Sequence, residues 1–165
     1  MRIRPETAAD VDSIRQVNRL AFGGDDEPRI VDRVRNSADP IVSLVADDDG
    51  DVVGHILWSP VSLGQDNARL LMGLGPVAVM PARQRQGIGS ALVLAGLEEC
   101  RRLGVAGSVV VGHPEYYPRF GYTRASAFGL TCQFEVPDDV FMALELATGA
   151  FDGGGLVCYH PAFSE

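Results

Sequence analysis

The sequence predicts an α/β (or α+β) fold built on a mixed sheet, and three observations predict it. Two β-branched runs, 41–46 and 51–58, flank Asp47-Asp48-Asp49-Gly50, where Asp-Gly marks a hairpin turn. A long amphipathic helix at 87–103 follows a strand-like run at 69–79 and returns to another at 105–111, so hairpin strands and a crossover share one sheet. The 165 residues, 46% hydrophobic and 22% charged, suit a single globular domain over 1–165 with no second core to fit.

Each element has its own local reason. Residues 1–5 form a short first strand. Thr7, three residues before Asp10, makes a capping-box-like helix start, and Val11, Ile14, Val17, Asn18 and Leu20-Ala21 continue at helical spacing to Gly23-Gly24. A second helix at 26–36 places Ile30, Val31 and Val34 between charged residues, and Pro40 opens the hairpin region. The run 69–79 ends at Met80-Pro81. The helix after it carries Ile88, Ala91, Leu92, Ala95, Leu97 and Leu103, with Gly104 as its C-terminal cap. A buried strand at 105–111 leads to a helical turn at 114–119. Phe141–Leu146 and Leu156–His160, around Gly149 to Gly155, read as a final hairpin.

Composition excludes several classes of function. The formal charge of −8 argues against nucleic acid, whose phosphates require a basic face. All 14 basic residues are arginine, so a Schiff-base lysine and a P-loop are both ruled out. Cys100, Cys132 and Cys158 are odd in number and widely spaced, which argues against a disulfide framework or a Cys-rich zinc site. No H-x-x-x-H or E-x-x-H spacing supports a metal. With neither a signal-like N-terminus nor an apolar run of about 18 residues, a cytoplasmic protein that does not enter a membrane is expected.

The most informative segment is Pro81-Ala82-Arg83-Gln84-Arg85-Gln86-Gly87-Ile88-Gly89-Ser90, set between an apolar strand and an amphipathic helix. Glycines at 87 and 89 admit a close ligand, and unpaired N–H groups at a helix start favour an anion such as pyrophosphate. Arg83 and Arg85 add positive charge. The dinucleotide fingerprint fails because Leu92 stands where a third glycine is needed, and Walker A fails for want of lysine.

Gln84-Arg85-Gln86-Gly87-Ile88-Gly89 resembles Q/R-x-x-G-x-G/A, the acyl-CoA signature of the GNAT N-acetyltransferase superfamily. Gly75 to Pro81 is similar to that family's strand before the loop. Tyr117-Pro118-Arg119-Phe120-Gly121-Tyr122 resembles its Tyr-x-x-x-Gly-Phe element, with Tyr for the last Phe. The resemblance runs over essentially the whole chain. It implies a mostly antiparallel central sheet flanked by helices, with two central strands splayed apart. It further implies that Val77, Ala78 and Val79 run along an acetyl-pantetheine arm. The backbone N–H groups of Arg85, Gln86, Gly87, Ile88, Gly89 and Ser90 would hold the pyrophosphate, Gln84 being the weaker contact.

Acetyl transfer to an amine needs a neutral amine, a polarised thioester and a stabilised leaving thiolate. The resemblance places Tyr117 as the proton donor; a packed core tyrosine fits the same position, and Tyr116 is the adjacent alternative. The strands 69–79 and 105–112 carry no carboxylate, so a general base must come from elsewhere or from water. Glu27, beside Asp25 and Asp26, and Glu115 are the candidates, although acidic residues at 25–27 also suit a helix N-terminus. Where relatives carry asparagine, this chain has His113, a candidate for binding or proton shuttling near the cofactor mouth. His55 and His160 read as structural. Trp58 reads as sheet packing with the acceptor groove as alternative, and Phe120, Phe134, Phe141 and Phe163 as core.

These readings lead to an acetyl-CoA-dependent N-acetyltransferase that moves an acetyl group to a primary amine of a small molecule or a peptide or protein. Direct attack in a ternary complex is expected, with no metal. The alternatives are a catalytically silent acyl-CoA-binding module and an acyltransferase using another acyl chain or a hydroxyl acceptor. Neither nucleic acid nor membrane is an expected partner, and the sequence is compatible with a homodimer.

Overall fold

A computed structural model describes residues 1–64 and 66–164, apart from the side chains of Asp66 and Asn67. Its organising feature is the hairpin of β2 (Val42–Asp48) and β3 (Asp51–Leu63). Asp49 and Gly50 both take positive φ, 50° and 94°, the left-handed pair that a two-residue hairpin turn requires. Gly50 N–H donates to Asp47 Oδ1 at 2.7 Å and completes the turn.

Before the hairpin come β1 (Arg2–Pro5), α1 (Val11–Phe22) and α2 (Asp26–Ser37). Thr7 N–H donates to Asp10 Oδ2 at 2.7 Å, as the capping box predicts, and one short 3-10 turn separates it from α1. After the hairpin come β4 (Asp66–Val79), α3 (Ile88–Arg102) and β5 (Gly107–Val111). The remaining strands are β6 (Thr123–Arg124), β7 (Leu130–Cys132), β8 (Phe141–Glu145) and β9 (Gly155–Cys158).

The sheet runs β1-β2-β3-β4-β5-β8-β6, antiparallel throughout except for the parallel pair β4–β5. Its two faces follow the alternation of side chains along β2 and β3. Val45 and Leu57 meet Ile14, Val31 and Val34 of α1 and α2. On the other face Leu44, Ile56 and Trp58 meet Leu92, Val93 and Leu97 of α3. Trp58 is fully buried because α3 carries Gly96 opposite it, where a Cβ would lie 2.0 Å from the indole. Its Nε1–H donates to Ser108 Oγ at 3.1 Å, and Tyr122 hydroxyl joins the same oxygen at 2.8 Å. Trp58 is therefore a packing residue.

The splay between β4 and β5 is the feature that creates a site. The two strands pair only from Leu71↔Gly107 to Leu74↔Val110. Gly75 and Pro76 then form a bulge: Leu74 pairs with Trp58 and Val77 with Ile56, so two β4 residues oppose Leu57 alone. Gly75 sits at φ 147°, and Pro76 has no N–H to give a ladder. Beyond the bulge β4 follows β3, while β5 follows β8 out to Val111↔Phe141.

The C-terminal runs do not form the expected hairpin. β8 is bonded by β5 on one side and β6 on the other, which leaves no edge for β9. β9 instead joins the far end of β3, through Ser62↔Cys158 and Leu63↔Val157, and pairs in parallel with β7. The helical turn expected at 114–119 is a 3-10 turn over Tyr117–Phe120.

Candidate active site

The loop after β4 is fastened at both ends. Arg83 N–H donates to Met80 O at 2.8 Å, and Gln84 Nε2–H reaches back to Val79 O at 3.1 Å. Arg85 takes φ 64°, a left-handed conformation that costs a non-glycine residue roughly 1–2 kcal/mol, and Gly87 follows at φ 83°. The first helical hydrogen bond of α3 runs from Ala91 N–H to Gly87 O at 3.0 Å. The amides of Ile88, Gly89 and Ser90 therefore precede the ladder and carry the positive end of the helix dipole.

These amides face a hollow of about 370 Å³, lined also by Val79, Gln84, Arg85, Tyr116 and Arg119. Tyr116 hydroxyl lies 3.0 Å from Ser90 Oγ, and a Cβ on Gly89 would come within 3.4 Å of that hydroxyl. Arg119 lies 4.6 Å above the Tyr116 ring. Two guanidinium groups beside unpaired amides concentrate positive charge at this hollow on an otherwise acidic chain. Arg83 also borders the hollow but is engaged by Asp48 at 2.8 Å. Gln86 contributes no side chain, since its Oε1 accepts from Arg83 Nε at 3.3 Å.

On the other side of the splay lies a cavity of about 420 Å³. Leu74 to Val77 of β4 and Val111 to His113 at the end of β5 form its back, and Tyr117 borders it. Phe22, Glu27 and Ile30 close it from the α1–α2 corner, and Phe134, Tyr159 and Phe163 from the C-terminal segment. Val77 thus borders this cavity and Val79 the anion hollow, while Ala78 between them is buried.

Consecutive tyrosines divide between the two spaces. The amides of Tyr116 and Tyr117 both donate to His113 O, at 3.1 and 3.5 Å, and their rings stand at 87° with centroids 5.1 Å apart. Tyr117 is buried against Gly112, and burial pushes its phenol up to about 12, so it is protonated at neutral pH.

The other candidate residues separate clearly. Glu27 and His113 line the cavity; Glu115 is exposed and lies outside it. Asp25 is bonded to Arg19 at 2.7 Å, and Asp26 faces a separate small hollow. His55 is fully buried and joined to Asn18 and Ser43, and burial lowers its imidazole to about 3. His160 bonds Ser37 Oγ at 2.9 Å and accepts Ala162 N–H at 3.0 Å, a structural tie. Among the described residues no group of three His, Cys, Asp or Glu side chains could hold a metal ion, and no helix is long and apolar enough to cross a membrane.

Two of the phenylalanines expected in the core are wall residues instead. Phe134 and Phe163 are partly exposed because they border the cavity, whereas Phe141 is buried and Phe120 packs beside the two tyrosines. Phe22, Ile30 and Tyr159 complete the wall without a sequence signal, since each is brought there from a different element. Tyr159 lies over Gly73, where a Cβ would come 2.7 Å from its ring. Its hydroxyl is buried without a hydrogen-bond partner, and burial raises its pKa. An unmade bond of that kind costs about 1–3 kcal/mol.

Comparison with known proteins accounts for this arrangement. The sequence profile described as "Acetyltransferase (GNAT) domain" matches residues 2–125. The chain is 34% identical over 166 residues to the uncharacterized N-acetyltransferase YhbS of Escherichia coli K12, covering 99% of each protein. The crystal structure of Escherichia coli YhbS in complex with CoA superposes with a TM-score of 0.92 at 33% identity, covering 99% of this chain and 92% of that one. A GNAT family acetyltransferase from Brucella melitensis in complex with acetyl-CoA superposes with a TM-score of 0.83 at 38% identity, covering 98% and 97%. The chain belongs to the GNAT acetyltransferase family and is an N-acetyltransferase.

Proposed function

We propose that the chain, acting as one domain over 1–165 in the cytoplasm, uses acetyl-CoA as co-substrate to acetylate a primary amine of a small molecule or peptide. The observation that carries this reading is the stretch of β4 that stays paired with β3 but has left β5. Residues 75–79 run from the acceptor-sized cavity to the anion hollow, so one extended ligand fits along the strand with its phosphates at the start of α3. The unengaged amides of Ile88 to Ser90 suit a pyrophosphate, and the backbone of Val77 to Val79 suits an amide-bearing arm. Complexes of the two similar proteins with CoA and acetyl-CoA support the same assignment.

In this reading the amine attacks the thioester carbonyl directly beside Val77 and Tyr117. The new C–N bond forms as the C–S bond breaks, and the amine's proton passes to water or to Glu27. Tyr117 stabilises the leaving sulfur by donating a hydrogen bond. Full proton transfer is disfavoured, because burial pushes its phenol up to about 12, above the range of an ordinary thiol. Glu27, the one carboxylate bordering the cavity among the described residues, attracts the ammonium form before it deprotonates.

The experiment is to measure free thiol released from acetyl-CoA across a panel of primary amines, with mass spectrometry of the product. Amine-dependent release with N-acetylated product is the expected result. Cofactor binding without any transfer would favour the silent binding module, and faster reaction with longer acyl-CoAs would favour a different acyl chain.

A further inference from the structure

We infer that the acceptor is a small monoamine with one flat apolar body that carries a hydrogen-bond acceptor. This inference rests on the acetyl-transfer reading above and deepens it by naming the substrate class. The body lies on the aromatic wall of Phe134, Tyr159 and Phe163, and the amino group turns towards Val77 and Tyr117.

Three observations support this. First, the wall is a continuous aromatic surface: Tyr159 lies 5.5 Å from Phe134 and 5.7 Å from Phe163, centroid to centroid. Phe134 and Phe163 remain partly exposed where they border a space of about 420 Å³. Sites for small molecules fall in the range of roughly 300–1,000 Å³ and combine apolar walls with a few polar groups. Second, Ile30 follows Glu27 by one turn of α2, so the helix presents one carboxylate and one apolar side chain to the same space. That pairing suits a single cation on an apolar body. A polyhydroxylated or polycationic acceptor would leave its polar groups unpaired against the rings.

Third, the Tyr159 hydroxyl is buried without a partner although its ring borders the cavity. Gly73 leaves room for that ring against β4. The O–H turns freely about its own Cζ–O bond, so an acceptor atom that a bound ligand brings against it satisfies a donor that the free protein leaves unpaired. Tyr159 is thus a positioning residue for the substrate's body and takes no part in the acyl-transfer step.

The test compares tyramine, 4-methoxyphenethylamine and phenethylamine with spermidine, an aminoglycoside and a short peptide with a free N-terminus, in the wild-type protein and in Tyr159→Phe. The expected result is a kcat/KM for the two oxygen-bearing arylalkylamines at least about tenfold above that for the polar amines and the peptide. Tyr159→Phe should raise KM for those two roughly five- to tenfold at unchanged kcat, leave phenethylamine unaffected, and leave acetyl-CoA binding unaltered. Its melting temperature should equal or exceed the wild type, because the unpaired hydroxyl is gone. Preference for spermidine, the aminoglycoside or the peptide would overturn the inference while leaving acetyl transfer intact. A KM for tyramine that ignores Tyr159→Phe would do the same. Acetyl-CoA binding with no amine acetylated in any class would remove both.

Discussion

Gly112 and the ring of Tyr117 occupy adjoining space so closely that a Cβ on Gly112 would stand 2.3 Å from Tyr117 Cε2. The end of β5 thereby sets where the phenol sits, and the 3-10 turn that follows only has to deliver it. Gly112→Ala forces the ring out of that seat. The expected outcome is a fall in kcat of about tenfold or more with cofactor affinity retained, together with a stability loss of about 1–3 kcal/mol from overpacking. Steady-state kinetics beside denaturant unfolding checks both parts, and an unchanged kcat would detach Tyr117 from the reaction.

The division between the adjacent tyrosines makes a second prediction. Tyr117→Phe should lower kcat on the order of 10²-fold, as loss of a hydrogen-bond donor to developing charge does, and leave acetyl-CoA affinity alone, because Tyr117 and not Tyr116 borders the cavity. Tyr116→Phe should act the other way. It loses the 3.0 Å contact with Ser90 at the start of α3, so cofactor affinity falls by about threefold to tenfold while kcat holds. Reversed effects would place Tyr116 at the sulfur.

Tyr117 also shapes the dependence on pH. Its raised value of about 12 keeps the proton on across the working range, so kcat/KM should climb with pH as the amine loses its proton and show no descending limb below about pH 10. A descending limb near neutrality would identify a different group at the leaving sulfur.

His55 predicts how the fold responds to acid. Asn18 Nδ2–H donates to its Nδ1 at 3.2 Å, so Nε2 carries the proton and donates to Ser43 Oγ at 2.9 Å. Ser43 hydroxyl donates in turn to Glu6, which is paired with Arg35 at 2.6 Å. Burial and the Arg35 charge hold the imidazole at about 3, against about 6.5 when unfolded. A depressed folded value contributes stability that is fully present above about pH 6.5 and is lost as pH falls towards 3, by up to about 1.4 kcal/mol per pH unit. Denaturant unfolding at pH 7.5 and 4.5 should show that loss, and His55→Gln should be less stable at pH 7.5 yet much flatter across the interval. Equal slopes in both proteins would refute the assignment.

What could be read in the sequence was local. The Asp49-Gly50 turn, the Thr7–Asp10 box, the glycine loop before α3 and the apolar stripe of that helix each carry their signal within a few residues. The anion hollow was legible for the same reason, since Arg85 to Ser90 are contiguous. The partner of β9 was not, because alternation identifies a strand without saying whether β8 or β3 will receive it. The aromatic wall was hidden more deeply still. Phe22, Phe134, Tyr159 and Phe163 come from separate elements, and only the folded chain brings their rings to one cavity. Nor does sequence order separate Tyr116 from Tyr117, which a single turn sends to opposite sides of the splay.

Whether the start of α3 holds the pyrophosphate of acetyl-CoA is read by calorimetric titration with acetyl-CoA beside dephosphorylated pantetheine. Saturable binding that pantetheine does not reproduce is the expected result. Binding at least about 100-fold weaker is expected in Gly87→Asp, whose carboxylate enters the hollow, with the fold retained. Absence of binding at millimolar acetyl-CoA, or equal affinity in Gly87→Asp, would place the pyrophosphate elsewhere.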